Sequence, residues 1–144
     1  MQDPKSVSTG RSLSNSYESS PSKTAMLQLD NNIAAVISYA PILPFINVIA
    51  SVIWLKTEPR NNTFLRFCAL QSVAISVVWF LIGVVSWAVG MVPIIGGLVG
   101  GPLYWLSTLA YFVVTAYLTF HAFKGQAVSL PVIGPIVESN MDQF

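Results

Sequence analysis

The sequence predicts an all-α integral membrane protein with three transmembrane helices, the first kinked by proline, behind a disordered N-terminal tail. Hydrophobic residues make up 53% of the 144-residue chain and only 9% are charged, whereas soluble domains are about a quarter charged. The charges are also segregated, with none between Asn31 and Leu55 and none between Phe67 and Phe123. Gly90, Pro93, Gly96, Gly97, Gly100, Gly101 and Pro102 punctuate the second of these runs near its middle. Each half is about 20 residues, enough to cross a hydrocarbon layer of about 30 Å.

Residues 1–30 are rich in serine, with scattered charges and no aliphatic cluster before Met26 and Leu27. Such a segment buries too little to fold alone and reads as disordered. It lacks the continuous apolar core of a secretory signal. An organelle transit peptide is the compositional alternative, against which Asp3 and Glu18 stand.

The membrane domain covers residues 31–124, and its first span is placed at residues 33–55. Pro41 and Pro44 fall inside it; each removes a backbone donor, so the kink they cause should face protein rather than lipid. A re-entrant hairpin competes with this reading, but residues 33–55 are too few for two full crossings. In the polar turn from Lys56 to Thr63, Pro59 stops the first helix and Asn61 or Asn62 is suited to cap the next. The second span is expected at residues 67–89 and the third at 102–123. Pro102 suits a first helical position and Gly125 a C-terminal cap. Residues 125–144 form an interfacial segment, since Pro131 and Pro135 interrupt an apolar stretch too short to span.

Aromatic residues mark the expected boundaries, because Trp and Tyr favour the headgroup level. Trp54 falls at one boundary; Trp87, Tyr104 and Trp105 fall at the other, while Trp79, Tyr111 and Tyr117 lie deeper and read as packing residues. Lys56, Arg60, Arg66 and Lys124 flank span ends on one side, which makes that side cytoplasmic or, in a plastid, stromal. Three crossings then put the tail on the opposite side.

The spans contain no Asp, Glu, Lys or Arg, and His121 is the only histidine. No catalytic residue, cofactor site or metal site is predicted, and the chain reads as non-enzymatic. Cys68 stands alone as a small apolar residue. A net charge of +1 offers no surface for nucleic acid, and a span without carboxylates argues against an ion pump. Asn47 and Gln71 are the costliest groups to leave unpaired in lipid, so they should face other helices, with each other as one option. Ser72 with Ser76, Ser86 with Gly90, Gly96 with Gly100, and Gly97 with Gly101 form small-residue pairs suited to close packing or to self-association.

The most informative stretch runs from Thr63 to Ser72. Arg66 is expected to reach back to the surface, Phe64 and Phe67 to anchor at the interface, and Gln71 to sit a turn deeper. The run FLRFCALQS, after RNN, resembles the FxRFxAxQS signature of small three-span bacterial membrane proteins related to the Tic-type chloroplast inner-envelope protein-import component. Similar stretches open the first span, at Asn31-Asn32-Ile33-Ala34-Ala35 with Ser38 and Tyr39, and close the domain, at Ala122–Gly125 and Leu130-Pro131-Val132-Ile133-Gly134. The resemblance covers residues 31–138. It implies a translocon-associated or channel-forming role, with Arg66, Phe67, Gln71, Gly125, Pro131 and Gly134 as motif residues beside the packing candidate Asn47. The expected function is a membrane subunit, associated with other membrane proteins, in protein translocation; a small self-associating channel or carrier is the alternative. Membrane lipids and other membrane proteins are the expected partners. A bacterial inner or thylakoid membrane, or a plastid inner envelope, is the expected location.

Overall fold

The computed structural model describes residues 22–40 and 44–140. Among them are the α-helices α1 (Asn31–Tyr39), α2 (Pro44–Thr57), α3 (Thr63–Gly90), α4 (Gly101–Phe123) and α5 (Ile133–Asn140), with a π-helical turn, Gly96–Gly100, leading into α4.

The scaffold is the antiparallel hairpin of α3 and α4, which contain the predicted spans 67–89 and 102–123. The 28 residues of α3 reach about 42 Å at about 1.5 Å per residue, and Gly96–Phe123 forms an equally long apolar rod. Only 17% of the most apolar window of either rod is buried. A core helix of a soluble protein hides such a surface; here Phe80, Trp87, Trp105 and Phe120 are exposed, the distribution expected of helices surrounded by lipid. The first half of α3 differs. Phe64 to Ala69 are buried on every side, where α1, α2 and the C-terminal segment pack around α3.

The predicted first crossing requires correction: two rods, not three, are long and apolar enough to span a membrane. Residues 33–55 divide into α1 and α2. Pro41 lies outside the described residues, but its effect shows at Ala40, whose ψ of 117° is extended. A residue before proline is driven out of the α region by the proline ring. Pro44 then opens α2 at a position where its missing N–H breaks no helical bond. With the helix interrupted, the segment reverses. Asn31 at the start of α1 bonds Asn62, and Ser38 near its end receives the hydroxyl of Ser72, so α1 runs alongside α3 in the same direction. Phe45 at the start of α2 shares a groove with Phe80 and Val84, whereas Glu58 just past its end bonds Asn62. The segment therefore goes in and returns to the end from which it started.

This reversal also changes where the N-terminal segment lies. Most of the predicted disordered tail, residues 1–21, lies outside the described residues. Residues 22–30 form a closed turn in which Thr24 is buried and bonds Leu29 through both backbone and side chain. The Ala25 amide donates to Glu58 at 2.8 Å, and Asn32 donates to the Phe123 carbonyl. The turn, the 58–62 loop and the end of α4 thus share one end of the hairpin, where three crossings would have separated them. Beyond α4, Gln71 holds the Val128 carbonyl, and Leu130 and Ile133 lie against Ile75 and Val78. The C-terminal segment therefore packs inward along α3 before α5 begins.

Candidate functional site

The charged end is built around Glu58, which is 4% exposed. One carboxylate oxygen accepts from the Ala25 amide and the other from the Asn62 side chain, both at 2.8 Å. Asn62 and Asn31 exchange a reciprocal pair of amide hydrogen bonds, at 2.9 and 3.2 Å. Asn62 occupies the expected N-cap position of α3 but makes no side-chain capping bond; its side chain is committed to Glu58 and Asn31 instead. The stretch from Ala25 to Asn31 is thereby fastened to the 58–62 loop by one acid and two amides.

Arg66 does not reach the surface as expected. It is 5% exposed because α1 and α2 enclose the start of α3, and its guanidinium donates to the Glu58 carbonyl at 3.2 Å. No carboxylate pairs with it among the described residues, since that of Glu58 is turned toward Ala25 and Asn62. Beside Arg66, a groove of about 500 Å³ opens between α2 and α3, also lined by Lys56.

The other expected residues are distributed rather than gathered. Phe67 is fully buried in the core, as is Phe64 almost completely, so neither is an interfacial anchor. Asn47 and Gln71 do not pair: Asn47 donates to the Tyr111 hydroxyl at 3.0 Å, and Gln71 donates to the Val128 carbonyl at 3.0 Å. Tyr111 in turn stacks against Trp79, ring centres 5.1 Å apart. Around this pair, Asn47 Oδ1, Ser51 Oγ, Ser76 Oγ and Trp79 Nε1 are buried without a partner among the described residues, which makes the middle of the bundle polar but uncharged. Trp54, expected at a boundary, is 3% exposed in the core.

Gly125 has φ of +73°, and the bonds Gly125 N–H to Ala122 and Gln126 N–H to His121 close α4 in a Schellman arrangement. Pro131 is exposed in the turn before α5, and Gly134 is buried where an added Cβ would strike Ser129. At the opposite end, Gly96 lies against the Gly90 carbonyl, and a Cβ on Gly100 would stand 2.9 Å from the Ser86 carbonyl. The small-residue pairs Ser86–Gly90 and Gly96–Gly100 therefore pack against each other, while a Cβ added at Gly97 or Gly101 would meet nothing within 4 Å among the described residues.

Sequence reasoning assigned Glu58 no role, and named Asn62 only as a candidate cap and Asn31 only in a motif, without the contacts that join them. The available signal was their position, at the two ends of an uncharged segment with prolines in its centre. Among the described residues, no group of His, Cys, Asp and Glu is arranged to hold a metal ion.

Residues 30–137 match the family model described as the magnetosome magnetite crystal formation protein family. No curated protein and no solved structure matches the chain. The match overturns the resemblance to the Tic-type import component, and with it the expected role in protein translocation. The run that carried that resemblance is packing: Phe64, Leu65, Phe67, Cys68 and Ala69 are all buried where α1 and α2 surround α3.

Proposed function

Because the chain belongs to the magnetosome magnetite crystal formation protein family, we propose that it resides in the membrane around the growing crystal and acts through its charged end, on the cytoplasmic side. The observation that supports this reading is the segregation of charge along the hairpin. Lys23, Asp30, Lys56, Glu58, Arg60, Arg66 and Lys124 gather where the N-terminal turn, the 58–62 loop and the end of α4 meet. No charge lies between Phe67 and Phe123, and the far turn exposes Met91, Ile94 and Leu98. Basic residues near span ends are retained on the cytoplasmic side, and they outnumber acids at this end. The uncharged turn then faces the crystal compartment. On this reading the protein influences mineral formation by organising lipid and neighbouring membrane proteins from outside that compartment.

Cysteine labelling in intact, isolated magnetosomes tests the orientation, since the native Cys68 is buried. Arg60→Cys should react with a membrane-impermeant maleimide at once, and Ile94→Cys only after permeabilisation. The reverse order sinks the assignment of faces. Deleting the gene should change crystal size in electron micrographs; unchanged crystals would remove the role in crystal formation.

A further inference from the structure

We propose that the groove between α2 and α3 binds an anionic phospholipid, its phosphate held by Arg66 and Lys56. Arg66 is a cation more than nine-tenths buried, with one hydrogen bond to a carbonyl and no carboxylate partner among the described residues. A guanidinium carries five N–H donors, and a buried charge without a directly paired counter-charge is unfavourable. Glu58 also lines the groove with its negative charge, but its carboxylate is turned toward Ala25 and Asn62 rather than Arg66, and the two cations of the groove outnumber it. Lys56, exposed at the end of α2, adds a second cation to the same groove.

The remaining walls fix the kind of anion. Val52 and Leu55 on α2 and Leu70 and Val73 on α3 continue the groove away from the charged end, over an apolar surface. A free phosphate has no use for such a wall, whereas a phospholipid matches both parts: phosphate at the level of Arg66 and Lys56, acyl chain against the four aliphatic side chains. The volume of about 500 Å³ accommodates a headgroup and the top of one chain. Basic pockets between membrane helices at headgroup depth recognise anionic lipids by this combination. The proposal stands whichever compartment the charged end faces.

The test is native mass spectrometry of the full-length protein in detergent, with phosphatidylglycerol and phosphatidylcholine of identical acyl chains. The wild type should retain phosphatidylglycerol preferentially. Lys56→Gln and Arg66→Gln should each weaken that retention by about fivefold, while Arg60→Gln, outside the groove, should leave it unchanged. Should Arg66→Gln fail to fold, the exposed Lys56 carries the test. Equal retention of the two lipids, or undiminished retention in Lys56→Gln, overturns the proposal. Displacement of phosphatidylglycerol by millimolar inorganic phosphate also overturns it, assigning the site to a free anion.

Discussion

At the charged end of the hairpin, Glu58, Asn62 and Asn31 join the 25–31 stretch to the 58–62 loop through side-chain hydrogen bonds. At the other end, Ser86 and Gly90 of α3 meet Gly96 and Gly100 with almost no side chain between them. Both ends bring distant residues together, but by different physics. In lipid, apolar side chains gain little by leaving one hydrocarbon surroundings for another, so close backbone approach and dispersion hold helices together. Where the chain leaves and re-enters, backbone groups of turns must be satisfied, and buried polar side chains do that. The glycine end tolerates no added bulk at Gly96 or Gly100, and the charged end tolerates no missing partner.

Adding bulk at the glycine end is the severest way to break this comparison. A Cβ on Gly100 would lie 2.9 Å from the Ser86 carbonyl and 3.0 Å from Gly90 Cα, and backbone cannot move aside as a flexible side chain does. Gly100→Leu should destabilise the hairpin by about 3 kcal/mol, read as a lowered Tm by tryptophan fluorescence in detergent. Gly97→Leu, at an open position, should stay within about 0.5 kcal/mol of wild type. Equal losses in the two variants would mean that close approach does not hold this end.

At the charged end, removing a partner is the damaging change. Glu58→Ala leaves the Ala25 amide and the Asn62 side chain without their acceptor, at about 2 kcal/mol for buried groups so stranded. The loss should be local. Hydrogen exchange should accelerate in residues 22–30 while the 86–100 region keeps its protection, and acceleration at both ends would show one cooperative unit instead of two.

How much of this was legible depends on whether the signal is local. The hairpin turn announces itself as a cluster of glycine and proline inside an uncharged run, and Pro102 stands in the first turn of α4. The opposite directions of α1 and α2 were hidden, because a run long enough to cross looks the same whether or not it returns. What distinguishes the two is the meeting of Asn31 with Asn62, a contact 31 positions apart that no periodicity encodes. Arg66 misled for the same reason. An arginine at a span end ordinarily reaches for the headgroups, and only the wrapping of α1 and α2 around α3 buries it. Asn47 and Gln71 were identifiable as residues needing partners, but the partners, Tyr111 and the Val128 carbonyl, are set by the packing of α4 and the C-terminal segment.

Gln71 offers the finest test of the contrast, because it lies between the two ends and makes one bond. Its amide donates to the Val128 carbonyl, while its own oxygen is buried without a partner among the described residues. Gln71→Leu therefore removes one favourable bond and one unfavourable orphan together. The net change in global stability should be about 1 kcal/mol or less. The consequence should appear instead in the C-terminal segment, which loses a hydrogen bond to α3 near its start. Hydrogen exchange at residues 126–132 should rise in Gln71→Leu with Tm nearly unchanged. If exchange there stays as slow as in the wild type, Leu130, Ile133 and Val137 hold the segment by packing alone, and polar fastening ends at Glu58.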